Sequence, residues 1–175
     1  LFMNKLTVLP PEIGNLENLE HLEIDNNQLS ALPPEIGKLQ NLTRMEISDN
    51  RLTDLPPEIG SLKNLEYLKL TNNQLVKLPS EIGDMQSLKD VNLKGNDLEH
   101  LPVEIGKLEK LEDLDLSLND LKDIPSEIGN LIILEILRLR SNDLKELPKE
   151  IRKLKNLKTL DVTQNKLSSK EKEKI

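Results

Sequence analysis

The chain has little of what many binding and catalytic sites are made from. Its 175 residues contain no cysteine, no tryptophan, one tyrosine, one phenylalanine and two histidines. Without cysteine there is no disulfide framework and no thiolate metal site, and two aromatic rings cannot build an aromatic cage or a base-stacking platform. The net charge of −7 argues against nucleic acid as a partner. No long hydrophobic run is present, so we expect no membrane span.

What the chain does have is a period of 23 residues. A fixed period of about 20–29 residues is the sequence signature of a solenoid, in which each unit packs on the next. Asparagine marks the interval eight times, at Asn4, Asn27, Asn50, Asn73, Asn96, Asn119, Asn142 and Asn165. The consensus LxxLxLxxNxLxxLPxEIGxLxx repeats in seven full units after a partial one. We therefore predict a repeat domain over residues 1–169 and the beginning of a polar capping helix over residues 168–175.

Each unit predicts one short strand followed by a turn and a return arm. The alternation in Leu22-Glu23-Ile24 places apolar and polar side chains on opposite faces, as in a strand. Such a strand can pair only with its equivalent in the next unit, which predicts a parallel sheet of eight strands. The asparagine that follows each strand has amide donors and an acceptor for the backbone of the turn. We interpret these eight residues as a structural asparagine ladder.

The return arm, LPxEIGxL, predicts a short α or 3₁₀ turn. Pro33 stands where a helix can begin without losing a hydrogen bond, and Glu35 suits the positive end of that turn. Gly37 permits either an unusual backbone angle or a tight contact. Arg152 replaces this glycine in the last arm, which indicates a different environment at that end of the stack.

These motifs resemble the leucine-rich-repeat proteins of the 23-residue LPxEIG type. The chain is similar to repeats of plant intracellular Ras-group proteins, Ras-suppressor and scribble-like scaffolds, Roco proteins and bacterial proteins, including leptospiral ones. The resemblance implies an α/β fold: a right-handed solenoid with a parallel sheet on its concave side and short helical turns on its convex side. It also implies protein binding as the usual role, without choosing among these subfamilies.

Residues at outward-facing positions of the sheet are free to serve a function, because the packing of the core does not determine their identity. Tyr67 is the only tyrosine, and Leu118 occupies a slot that is Asn26, Asp49, Asn72 or Gly95 in other units. Ile132, Ile133 and Ile136 form an apolar cluster in the sixth unit. The predicted partner-binding residues on the concave face are Tyr67, Lys69, Lys94, Asp113, Asp115, Leu118, Ile136, Arg138 and Arg140, with Ile132 and Ile133 as an added apolar contact.

The function predicted from this surface is non-catalytic binding of a protein partner. No Ser/His/Asp arrangement, phosphate-binding loop or metal-spaced cysteine pattern is present, so we predict neither an enzyme nor a cofactor. His21, Glu23 and Asp25 alternate beside Glu46, but we interpret them as a solvated acidic patch and predict no metal site. An alternative is self-assembly through the chain ends, including the strand edge at Leu1, or through the isoleucine cluster. Another alternative is a regulatory binding domain within a larger protein.

Charge and composition say less about the partner and the compartment. Residues 138–175 hold twelve Lys and Arg against six Asp and Glu, whereas residues 1–137 hold twelve against twenty-five. This asymmetry either serves solubility alone or steers an acidic partner toward the basic end. The lack of cysteine favours the cytoplasm over a disulfide-capped extracellular domain, and bacterial secretion stays open. Both ends interrupt a motif, which suggests part of a longer protein.

Overall fold

The computed structural model describes residues 3–172. Seven strands form one parallel sheet in chain order, and each pairs with the strand 23 residues further on. Their bounds are β1 (His21–Glu23), β2 (Arg44–Glu46), β3 (Tyr67–Lys69), β4 (Asp90–Asn92), β5 (Asp113–Asp115), β6 (Ile136–Arg138) and β7 (Thr159–Asp161). The chain is therefore a parallel-stranded solenoid, with the sheet on one side and short helical arms on the other.

The prediction of eight strands is wrong for the described residues, which contain seven. Just after β1, the partial first unit makes a hydrogen bond from Met3 N to Asp25 O at 3.2 Å, and its Leu6 bonds to the turn that follows. These bonds do not make a strand in the described part of the unit. Leu1, named above as an open strand edge, lies outside the described residues.

The return arms are 3₁₀ helices of five residues each. They span Pro11–Asn15, Pro34–Lys38, Pro57–Ser61, Ser80–Asp84, Val103–Lys107, Ser126–Asn130 and Lys149–Lys153. Pro33 is the residue before its helix, with an extended backbone (φ −71°, ψ 148°), and the helix begins one residue later than the sequence suggested. A proline ring fits this extended position as well as the first helical one, because φ near −65° serves both. A short α-helix, α1 (Ser169–Lys172), ends the described chain.

The glycine that repeats in the return arms allows close contact between neighbouring arms, and it does not have an unusual backbone angle. A Cβ atom on Gly83 would lie 2.5 Å from the carbonyl oxygen of Glu104, on the next arm. The equivalent distance from a glycine Cβ to the next arm's carbonyl oxygen is 2.5–2.8 Å in four other arms. It is 2.7 Å between Gly129 and the carbonyl oxygen of Glu150. Arg152 lies in the last arm that the structure describes, so no further described arm packs over it. Within the described residues, the arginine therefore meets no neighbouring arm of the kind that restricts the glycines.

The asparagine side chains bridge two consecutive units. Asn96 donates from Nδ2 to Leu70 O at 3.0 Å and to Leu93 O at 2.9 Å, and its Oδ1 accepts from Leu75 N at 3.0 Å. The same set of bonds recurs around Asn50, Asn73, Asn119, Asn142 and Asn165. Each amide thus satisfies backbone groups of a buried turn, which would otherwise lose their water partners at a cost in stability.

The residue before each of these asparagines has a left-handed backbone. Its φ is positive at Met3, Asn26, Asp49, Asn72, Gly95, Leu118, Ser141 and Gln164. Glycine, asparagine and aspartate tolerate this conformation at low cost, whereas other residues do so less readily. The left-handed turn lets the chain leave the strand and direct the next asparagine inward.

The interior is almost entirely leucine and isoleucine. Four positions of each unit are almost always fully buried. They are two apolar residues of the strand segment, the leucine after the asparagine and the isoleucine of the arm. Because every unit supplies the same side chains at the same height, the core is one continuous stack rather than a central cluster. The outer side of the sheet is consequently left free of packing demands, and it carries the candidate site.

Candidate functional site

The outer side of the sheet, called the concave face below, presents the first and third residues of each strand. Between β2 and β3 these side chains form a connected group. The guanidinium of Arg44 lies 5.0 Å from the centre of the Tyr67 ring, and its Nε is 2.5 Å from Glu46 Oε1. Lys69 Nζ is 3.3 Å from the other carboxylate oxygen of Glu46. The tyrosine ring is 42% exposed, so it remains available for contact.

The charges in this group support one another. Burial opposes the ionisation of Glu46, but hydrogen bonds from Arg44 and Lys69 outweigh it and hold the pKa of Glu46 below its usual value. The hydrogen bond to Glu46 raises the pKa of Arg44 in turn. Arg44 lies over the ring of Tyr67 and is itself held by Glu46. These contacts restrict the tyrosine side chain, which lowers the entropy cost of ordering it in an interface.

Beside Tyr67 the face becomes acidic. Asp90 and Asp113 are paired in register on β4 and β5, and Asp115 follows on β5. Burial, followed by the charge of Asp113, raises the pKa of Asp90. Arg138 Nη1 lies 2.7 Å from Asp113 Oδ1, although Arg138 is in register with Asp115. Arg138 therefore pairs with an aspartate across a diagonal rather than with its in-register neighbour.

Three of the other candidate residues lie at the margin of this face. Arg140 donates from Nε to Gln164 Oε1 at 3.3 Å and is exposed. Lys94 is exposed, and Asp115 accepts a hydrogen bond from Ser117 N at 2.9 Å. Arg140 therefore contacts the seventh unit.

Leu118 is the most unusual residue at this margin. Its φ is +56°, in the left-handed region, and its side chain is 50% exposed. Four other units place asparagine, aspartate or glycine at this slot, and the remaining ones place Met3, Ser141 and Gln164 there with the same left-handed backbone. A leucine here carries about 1–2 kcal/mol of backbone strain and leaves half of its surface exposed.

Polar residues that follow the strands do not all face outward. Asp25, Ser48 and Ser117 are buried, with 7%, 2% and 6% of their surfaces exposed. Asp25 Oδ1 accepts a hydrogen bond from Ser48 N, so this side chain serves the backbone of the next unit. The neighbouring backbone thus provides a partner for Asp25, whereas the buried hydroxyl of Ser48 has no hydrogen-bond partner within the described residues.

The isoleucine cluster is divided between two places. Ile136 lies on β6 and is half-buried on the concave face. Ile132 and Ile133 lie in the turn before β6, where Ile132 is 60% exposed. These two residues line a groove of about 820 Å³, and Ile136 is not among its lining residues. The other lining residues of this groove were not singled out from the sequence: Gln86, Gly106, Lys107, Glu109, Lys110 and Asn130.

Sequence reasoning also missed Arg44 and Asp90 as partners of the predicted residues. Both stand exactly one period from Tyr67, and a parallel register would have placed them beside it. Within residues 3–172, no group of three or more His, Asp or Glu side chains is arranged to hold a metal ion. No helix in the same range is both long and apolar enough to cross a membrane.

Comparisons with known proteins agree with this architecture. A family model described as a leucine-rich repeat region matches residues 1–70 and 57–137. No curated protein shows a significant sequence match. The chain therefore belongs to the leucine-rich repeat family, whose members are generally non-catalytic.

Solved structures give the same fold. A leucine-rich repeat protein of Leptospira interrogans is 49% identical, with a TM-score of 0.90 over 93% of this chain and 41% of that one. An internalin of Listeria monocytogenes is 20% identical, with a TM-score of 0.84 over 94% of this chain and 46% of that one. The Arabidopsis receptor kinase HAESA, in complex with the peptide hormone IDA and the co-receptor SERK1, is 32% identical, with a TM-score of 0.81 over 91% of this chain and 28% of that one. This chain thus spans less than half the length of each.

Proposed function

We propose that the chain is a non-catalytic protein-binding module whose partner contacts the concave face between β3 and β6. The contact surface runs from Tyr67 and Lys69 across Asp113 and Asp115 to Arg138. Its remaining residues are Lys94, Leu118, Ile136 and Arg140. The observation that carries the proposal is Leu118, an exposed apolar side chain on a strained backbone at the margin of this face. Strain of this kind is retained where it serves a contact, because folding alone would favour asparagine or glycine there.

The composition of the face supports the same proposal. Tyrosine and arginine are enriched among the residues that dominate interface energies, and here Tyr67, Arg44 and Arg138 are already ordered by ion pairs and a cation–π contact. The HAESA complex shows a relative of the same fold engaged with a peptide hormone and a co-receptor. Because the chain spans only part of its relatives, it also fits the role of a binding domain within a larger protein.

Self-association is the weaker alternative. Ile136 lies on the concave face while Ile132 and Ile133 line a separate groove, so the three do not form one apolar patch. The strand edge at Leu1 lies outside the described residues. A partner of different sequence is therefore the occupant we propose for the concave face.

Partner capture with matched variants tests the proposal. Leu118→Asn and Tyr67→Ala/Arg138→Glu should each lose a partner that the unaltered chain retains, because each removes concave contacts without removing core side chains. Val103→Ser is the matched control: it removes an apolar side chain that is 52% exposed on a convex arm, at a position where other arms carry serine. Identical captures from all four proteins, each confirmed as folded by circular dichroism, would place binding away from the concave face.

A further inference from the structure

The turns that connect each 3₁₀ helix to the next strand form a column along one flank of the solenoid. In three of them an asparagine side chain ties its turn to the preceding one. Asn41 donates to Glu17 O at 2.8 Å, Asn64 to Gln40 O at 2.8 Å, and Asn156 to Ile132 O at 2.7 Å. We call this column the flank ladder. It closes the outer surface of the turns with hydrogen bonds supplied by the chain itself.

The flank ladder is interrupted in the middle of the chain. Ser87, Lys110 and Ile133 stand where the asparagine would be. As a result, the carbonyl oxygens of Gln86 and Glu109 accept no hydrogen bond within the described residues. These are acceptors that equivalent turns satisfy internally, and they remain dependent on solvent or on a ligand.

The interruption coincides with the groove of about 820 Å³. Ile132, 60% exposed, and Ile133 provide its apolar surface. Lys107 and Lys110 are exposed at the groove and have no ion-pair partner among the described residues, although seven lysine or arginine side chains elsewhere do. Glu109 is the one acidic side chain among the lining residues, so the groove carries a positive balance.

From these features we infer that the groove is a second docking site, separate from the concave face, for an acidic–apolar peptide segment of a partner protein. An extended peptide has main-chain N–H groups for the carbonyl oxygens of Gln86 and Glu109. Its apolar side chains cover Ile132 and Ile133, and its carboxylates meet Lys107 and Lys110. A basic segment would place like charges together, and a purely apolar ligand would leave both acceptors without donors.

The test uses a defined probe and a methyl-labelled protein. The chain, labelled at its isoleucine δ1 methyl groups and its backbone amides, is titrated with the acetylated and amidated hexapeptide Asp-Glu-Leu-Leu-Glu-Asp. Its counterpart Lys-Arg-Leu-Leu-Arg-Lys has the same apolar centre and the opposite charge. The acidic peptide should shift the methyl signals of Ile132 and Ile133 saturably and leave that of Ile136 unchanged, and the basic peptide should shift neither set.

Two variants separate docking from folding. Lys110→Asn/Ile133→Asn restores the flank-ladder asparagine at the two positions within the groove, using a residue that other units already carry there. It should fold as well as the parent chain and bind the acidic peptide at least about tenfold more weakly. Lys107→Ser/Lys110→Ser removes only the two cations and should also weaken binding. Tyr67→Ala/Arg138→Glu should bind the peptide like the parent chain, because it alters only the concave face.

Several outcomes would overturn the inference. These are the absence of saturable shifts at Ile132 with the acidic peptide, equal binding of both peptides, or unchanged binding by the variant with the two restored asparagines. Shifts confined to Ile136 would instead move the peptide to the concave face and would also overturn it. Failure here leaves the concave-face proposal standing, since that proposal is tested by partner loss in different variants.

Discussion

Replacing one asparagine of the buried ladder should destabilise the fold far more than replacing an asparagine of the flank. Asn96 is 5% exposed and makes three hydrogen bonds to backbone groups of two consecutive units. In Asn96→Ala, the N–H of Leu75 loses its acceptor in a fully buried position, which costs about 1–3 kcal/mol. Leu70 O and Leu93 O lose one donor each but keep bonds from Asn73 and Asn119, so about 1 kcal/mol is lost at each carbonyl.

The expected total is therefore about 3–5 kcal/mol. Asn64→Ala is the control, since it removes one exposed hydrogen bond to Gln40 O and should cost about 1 kcal/mol or less. Urea unfolding measured by far-UV circular dichroism and by Tyr67 fluorescence gives both free energies, and coincident transitions would justify two-state treatment. If the two alanine variants differ by less than about 1 kcal/mol, the ladder does not contribute as its geometry indicates.

The aspartate variant separates the acceptor from the donors. In Asn96→Asp the side chain still accepts from Leu75 N, but the ionised carboxylate faces the carbonyl oxygens of Leu70 and Leu93 with no hydrogen to donate. Burial and these oxygens should raise its folded pKa above the unfolded value of about 3.9. The variant should then be closest to the parent below about pH 3.9 and lose stability as pH rises through the folded pKa. A loss of stability independent of pH would contradict this account.

Three further results are expected. Gly83→Ala should cost about 1–3 kcal/mol in urea unfolding, because its Cβ would lie 2.5 Å from Glu104 O, and a neutral outcome would show that the arms can separate freely. Asp90→Asn should stabilise the fold by about 0.2–1 kcal/mol at pH 7 by removing the charge opposite Asp113. Since the raised folded pKa of Asp90 makes its ionised form unfavourable, this gain should disappear below about pH 3.9, and a gain that persists at pH 3 would be inconsistent with it. Leu118→Asn should raise the free energy of unfolding by up to about 1–2 kcal/mol by relieving its left-handed backbone, whereas a large loss would mean that the leucine packs in the folded state.

The Leu118→Asn variant also tests whether the chain gives up stability in order to bind a partner. If the residue is retained for a contact, the asparagine variant should be the more stable protein and the poorer binder. That combination is the usual relation between a strained functional residue and its relaxed replacement. Equal binding by both proteins would leave the strain without a functional reason.

Much of the fold could be predicted from the period alone. Leu22, Met45 and Leu68 repeat every 23 residues, so each strand can pair only with its equivalent in the next unit, and the parallel register follows. The solenoid prediction is confirmed, with its sheet on one side and short helical turns on the other. In such a chain the local sequence pattern also specifies the long-range contacts, because stacking of neighbouring units is the only long-range interaction that the fold requires.

The candidate site was less accessible from the sequence. Tyr67 was recognised as a unique residue on the concave face, but its contact with Arg44 depends on the side-chain positions adopted within the register. Arg138 pairs diagonally with Asp113 rather than with its in-register neighbour, and this choice depends on side-chain reach. Such contacts join residues that differ between units, and a repeat pattern says nothing about them.

By itself the sequence determined the stacking of units, the strand register and the positions that face outward on the sheet, because each follows from a 23-residue period and apolar alternation. Only the tertiary structure decided the left-handed backbone at Leu118, the burial of Ser48 and the separation of Ile132 from Ile136. These properties depend on the space and the hydrogen-bonding groups that the adjacent unit provides. A side chain's neighbours across units are known only when the turns have their actual shape.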